Sequence, residues 1–179
     1  MATMSLVRSF FCLDEKGTSA VEFAGAALII AGFPANAADF TVYEYRGMEI
    51  ANAAQIGAQT AWQTCYSSSM LPATQNCSGL NNAVTAAVQS TGLGSAVSLS
   101  SGYPAEGYYC VNSSGVLQAV GSLSSKPSNC SAAGNVNTSP GDYVQIGVTA
   151  SYAPLFPGFT VVGRWRVTSL NAVSWMRLQ

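Results

Sequence analysis

The sequence predicts an α+β protein: a long N-terminal transmembrane and stalk helix followed by a small, disulfide-bonded antiparallel β-sheet domain. Three observations predict this. An apolar run over residues 18–38 holds a single charge, Glu22. Small and apolar residues keep helical spacing well beyond that run. From about residue 96 the pattern changes to a period of two, which is the signature of half-buried strands.

Composition narrows the function classes. Of 179 residues only 8% are charged, and the formal net charge is -1. Nucleic-acid binding would call for a basic patch, so no nucleic-acid partner is expected. A neutral surface rich in Ser, Asn, Thr, Gly and Ala does not repel further copies of itself. Histidine is absent. This removes the commonest metal ligand and the usual general base at neutral pH, so Ser-His-Asp, Cys-His and His-based zinc sites are excluded. We therefore expect no enzyme, no catalytic residue, no metal and no cofactor.

Residues 1–17 read as a leader. Arg8, Asp14, Glu15 and Lys16 flank Phe10-Phe11-Cys12-Leu13, and positive residues before the first apolar run hold that end in the cytoplasm. Residues 18–38 supply the ~20 positions that cross a ~30 Å hydrocarbon core. A charge such as Glu22 costs roughly 2.5–3.5 kcal/mol at the bilayer centre, which marks it as functional. Ala20, Ala24, Ala27, Ala31 and Ala35 form a stripe that lets membrane helices approach closely. Pro34 removes a backbone donor and is expected to kink the helix, and Gly32 lowers its propensity. Residues 39–65 continue the helix outside the membrane. Ala51, Ala54, Ala58, Ala61 and Cys65 make an i, i+3, i+4 stripe, with Asn52, Gln55, Gln59 and Gln63 elsewhere. The whole is either one helix of ~70 Å or two helices broken near Gly32 and Pro34.

Residues 66–179 form the head. Residues 67–78 read as a loop containing Pro72. Leu80, Val84, Ala87 and Val88 mark a short amphipathic helix that ends before Gly92-Leu93-Gly94. Residues 96–100 read as a weak strand, and 108–120 as a hairpin around Asn112-Ser113-Ser114-Gly115. After a loop over 122–142 comes the clearest strand, 143–152, where Val144, Ile146, Val148, Ala150 and Tyr152 alternate with Gln145, Gly147, Thr149 and Ser151. Pro154 and Pro157-Gly158 turn the chain. Residues 160–176 are expected to be a last long strand or strand pair, with Arg164 and Arg166 on one face and Trp165 and Val167 on the other.

Cys12 lies in the leader, whereas Cys65, Cys77, Cys110 and Cys130 follow the apolar run. An even set beyond a membrane signal reads as a disulfide framework in an oxidising compartment, with three possible connectivities. The expected one is sequential, Cys65–Cys77 and Cys110–Cys130, because it closes two short loops rich in Ser, Asn and Pro or Gly. A four-cysteine zinc site would need close Cys-x-x-Cys pairs, and there are none.

The stretch Lys16-Gly17-Thr18-Ser19-Ala20-Val21-Glu22-Phe23 combines a polar leader, a glycine, four residues, a glutamate, an aromatic and then an apolar helix. It resembles prepilin processing sites. Taken with Glu49-Ile50-Ala51-Asn52-Ala53-Ala54, Gly57-Ala58 and the strand-rich C-terminal part, the chain is similar to TadE-like pseudopilins of tight-adherence (Tad/Flp, type IV pilus-like) systems. The resemblance implies that a prepilin peptidase cuts after Gly17, with this chain as its substrate. Thr18 then becomes the first residue, Glu22 the fifth and Phe23 the sixth. It further implies a single-pass protein of the bacterial inner membrane with its N-terminus cytoplasmic and its C-terminal domain periplasmic. Such a minor pilin-like subunit serves pilus assembly through membrane lipid, other pilin or pseudopilin subunits and the inner-membrane assembly platform, and can extend into the extracellular pilus. Glu22 would pair with the Thr18 amine of a neighbouring subunit.

One other reading stays open on the same residues. A positive start, a short apolar core and small residues at Ala35 and Ala37 also spell a secretory signal peptide cut before Ala38. The product would be a secreted or periplasmic disulfide-bonded binding or adhesion module.

Overall fold

The computed structural model describes residues 15–165 and 168–179, with the backbone alone for 15–19 and 168 onward complete. Cys12, Arg166 and Val167 lie outside the described residues. Alanine, the best helix former, recurs at short intervals after Glu15, and a single helix, α1, runs from Glu15 to Thr64. It passes through Pro34, so the alternative of two helices separated by a break is not realised. Near the proline the Asn36 amide donates to the Gly32 carbonyl at 2.8 Å, and the Thr41 hydroxyl donates to the Ala37 carbonyl at 2.7 Å. The Asn36 amide nitrogen and the Thr41 hydroxyl are thus satisfied on the helix itself.

The chain divides into two compact units. One contains α1 up to Val42 and the segment that begins at Pro154; the other contains the chain from Tyr43 to Ala153 and the C-terminal strand.

The larger unit is built on the remainder of α1. Its buried face is Ile50, Ala53, Ala54, Ala58, Ala61 and the following Cys65. This corrects the predicted stripe at one place: Ala51 is exposed, and Ile50 and Ala53 take the inward positions. Two short turns follow where a loop was expected, a 3-10 turn at Ser68–Met70 and the helix α2, Ala73–Asn76. Helix α3, Leu80–Gln89, buries Leu80, Val84 and Val88, which is the amphipathic spacing of the sequence. Gly57 lies where α1, α3 and the sheet meet. A Cβ there would sit 2.9 Å from Val88 Cγ2 and 3.0 Å from Ile146 Cγ2, so the absence of a side chain sets how closely the helices approach.

The sheet comprises β1 (Val97–Leu99), β2 (Ala105–Val111), β3 (Leu117–Ala119), β4 (Gly141–Ser151) and β5 (Ser169–Arg177), all paired antiparallel. β4 is the central strand. One edge pairs with β5 along its length, and the other is shared by β1, at residues 148–150, and β2, at residues 141–145. β3 closes the predicted hairpin with β2. Val144, Ile146, Val148, Ala150 and Tyr152 are buried as the alternation predicts, and the first three join α1 and α3 in one core. On the opposite face Tyr109 packs edge-on against Tyr143 and Trp175, with ring centroids 5.8 and 5.0 Å apart.

The expected long strand over 160–176 is not formed. Residues Val161–Arg164 make a helical turn, α4, and the strand begins only at Ser169. Thr160 explains the change, because its hydroxyl caps α4 by accepting from the Gly163 amide at 3.1 Å. A side chain at Gly163 would run into the Phe156 carbonyl, so the turn closes over a glycine.

Candidate functional site

A helix that is apolar all round is stable only when it is covered, either by a protein core or by lipid. Val21, Phe23, Leu28, Ile29, Ile30 and Phe33 on α1 are all exposed, Phe33 by 80%. An 18-residue window in this part of the helix has a mean hydropathy of 1.4 and no buried residue, which makes it long and apolar enough to cross a membrane. Glu22 is exposed near its start, and its next charged neighbour along the chain is Asp39. Gly17 and Thr18 belong to the first turns of α1, while their side chains lie outside the described residues. On a helix Thr18 and Glu22, four positions apart, share a face.

The far end of this apolar stretch is occupied by a segment from the other end of the sequence. Asp39 is fully buried. One of its carboxylate oxygens accepts from the Leu155 amide at 2.8 Å, and the other accepts from the Thr160 hydroxyl. One turn earlier, Asn36 Oδ1 accepts from the Val161 amide at 2.8 Å. Burying a carboxylate costs heavily unless it is hydrogen-bonded, and here both oxygens receive donors. The result is a strap, residues 154–165, fastened to two successive turns of α1 by side chains more than a hundred positions away. Asn36 and Asp39 were not singled out in the sequence. The available signal was that Asp39 is the first charge after Glu22 and ends the apolar run.

The four cysteines beyond the apolar run form two disulfides. Cys65, just past the end of α1, is bonded to Cys77, just past α2, with Cα atoms 5.9 Å apart. Cys110 on β2 is bonded to Cys130, with Cα atoms 5.7 Å apart. The second bridge lies in a small buried cluster with Tyr108, Val120 and Ala133.

A carboxyl pair lies beneath the sheet. Glu106 on β2 accepts from the Ala73 and Thr74 amides, both at 2.7 Å, and from the Thr74 hydroxyl at 2.6 Å, so it holds the start of α2. Asp142 on β4 is 1% exposed. Burial pushes its carboxyl up to about 7, and the charge of Glu106 and a hydrogen bond to it push in the same direction, while Lys126 pulls it down. Burial and then the same two carboxyls raise the Tyr108 phenol. Glu106 is already engaged by three donors, and Asp142 holds its proton up to about pH 7. The arrangement ties α2 to the sheet. Among the described residues no group of three or more His, Cys, Asp or Glu is placed to hold a metal ion.

No protein-family model, no curated protein and no solved structure matches this chain.

Proposed function

We propose that this chain is a minor pilin-like subunit, a pseudopilin of a tight-adherence pilus system, cut after Gly17 by a prepilin peptidase and held in the inner membrane by α1. Its N-terminus faces the cytoplasm and its disulfide-bonded sheet unit faces the periplasm, where the cysteines oxidise. The protein acts by assembly and carries out no catalysis of its own. Glu22 and Phe23, fifth and sixth after the cut, present one carboxylate and one ring at the cytoplasmic end of the membrane helix. There the carboxylate pairs with the new Thr18 amine of a neighbouring subunit, since an unpaired charge in an apolar setting is costly.

The observation that carries the reading is the continuity of α1. The helix runs unbroken from Glu15 to Thr64, and Asn36, which precedes the rival cut before Ala38, holds the Val161 amide. Signal-peptide cleavage would remove a residue that the folded chain uses. Prepilin cleavage leaves both Asn36 and Asp39 in place.

Intact-mass measurement of the membrane-extracted protein tests this. The expected mature chain begins at Thr18, and Gly17→Val blocks the cut by adding a side chain where the peptidase meets bare backbone. A mature chain beginning at Ala38 would overturn the reading in favour of a secreted module.

A further inference from the structure

The strap exposes an unusual set of side chains. Leu155, Phe156, Phe159, Val161 and Trp165 are all substantially exposed, Trp165 by 61%, although a turn of this kind on a water-facing surface is ordinarily polar. They continue the apolar surface of α1. Phe33, Asn36, Ala37 and Phe40 line an open, mainly apolar cleft with Val161 and Val162, of ≈ 330 Å³. Depth along the helix is also informative. Asp39, where the strap is fastened, lies 17 positions after Glu22, or ~26 Å at ~1.5 Å per residue. The hydrocarbon core is ~30 Å thick. With Glu22 near one face of the bilayer, the strap therefore lies at the other.

Two further features suit that depth. Backbone donors near lipid must be satisfied within the protein, and the amides of Leu155, Val161 and Gly163 are taken by Asp39, Asn36 and Thr160. Tryptophan is favoured at the headgroup level. The exposed Arg164 beside Trp165 places a cation where anionic headgroups lie.

We propose that residues 154–165 are a second membrane anchor, an interfacial collar whose Leu155, Phe156, Phe159 and Trp165 enter the headgroup–acyl boundary of the outward leaflet around the end of α1. Its partner is the lipid surface itself, and the cleft beside Phe33 and Phe40 receives an acyl chain. The collar fixes how far α1 can slide through the bilayer, and hence the level at which Glu22 stands. The inference rests on the reading of α1 as a membrane span.

Depth-resolved fluorescence of the full chain in vesicles of phosphatidylcholine and phosphatidylglycerol tests it. Trp62→Phe and Trp175→Phe leave Trp165 as the only tryptophan, and retained disulfides and far-UV circular dichroism verify the fold. The expected result is a blue-shifted Trp165 emission that is lost to lipids brominated close to the headgroup and protected from aqueous acrylamide. A parallel chain with Trp165→Phe and Ile29→Trp reports on the span, and its emission should be lost to deeply brominated lipids. If Ile29→Trp responds in this way while Trp165 ignores brominated lipid, the collar is refuted and the span stands. Trp165 that is shielded from acrylamide, yet only at high protein-to-lipid ratio, would mean a second copy covers the strap, which also refutes the lipid assignment. Loss of lipid quenching at both positions would refute the span and the collar together.

Discussion

Replacing Gly57 by alanine adds one methyl group at the point where α1, α3 and β4 meet. In an ordinary helix this change stabilises by ~0.8–1.0 kcal/mol through backbone propensity. At Gly57 the new Cβ would stand 2.9 Å from Val88 Cγ2, 3.0 Å from Ile146 Cγ2 and 3.4 Å from Val84 Cγ1, whereas carbon atoms prefer ~3.5–4.0 Å. All three neighbours are β-branched, stiff at χ1 and fully buried, so none can turn away cheaply. Overpacking of this kind costs ~1–3 kcal/mol. Gly47 provides the reference, because it lies on the same helix and a Cβ there meets nothing within 4 Å. Propensity cancels between Gly57→Ala and Gly47→Ala, which leaves a packing difference of ~1–3 kcal/mol. At ~2–4 °C per kcal/mol for a chain of this size, the midpoints should be separated by roughly 2–12 °C, with Gly57→Ala the lower. Calorimetry of the detergent-extracted proteins, without reductant, measures the gap. Equal midpoints would refute the close approach of α1 to α3 and the sheet.

Two other outcomes follow from the sheet unit. Asp142 holds a proton in the folded state up to about pH 7, whereas an unfolded aspartate releases it near ~3.9. The folded state therefore binds more protons between these values, and its stability falls as pH rises from about 4 to about 7, by an amount on the order of a few kcal/mol. The denaturant midpoint of Asp142→Asn should rise relative to that of the parent between about pH 4 and about pH 7 and level off above, and a difference independent of pH would contradict the buried proton. Non-reducing peptide maps should recover Cys65 with Cys77 and Cys110 with Cys130, and removing either bridge should cost ~2–4 kcal/mol. Full alkylation without prior reduction would contradict both bridges.

What the sequence disclosed depended on how local the cause was. β4 was legible because strict alternation at Val144, Ile146 and Val148 admits one reading once a single face is buried. The α1 stripe was nearly legible, but alanines at 51, 53, 54, 58 and 61 offer several near-equivalent faces. The partners on α3 and β4 chose the one with Ile50 and Ala53 inward. The strap was not legible. Thr160-Val161-Val162 has the composition of a strand, and the residues that overrule it, Asp39 and Asn36, lie 121 and 125 positions away from their partners Thr160 and Val161. The carboxyl pair was hidden in the same way, because Glu106 and Asp142 meet only through the register of β2 on β4. Glu22, by contrast, needed no tertiary information to stand out, since a lone carboxylate in an apolar run is costly wherever the run is placed.

Glu22 is therefore where the account is most directly tested. In a strain whose only copy carries Glu22→Ala, the chain should still insert in the membrane and be cut after Gly17, because neither step draws on the carboxylate. Crosslinking to other pilin subunits and pilus formation, scored by electron microscopy of the cells, should be lost. Normal piliation with correctly cut Glu22→Ala protein would contradict an assembly role for this residue and, with it, the proposed subunit pairing.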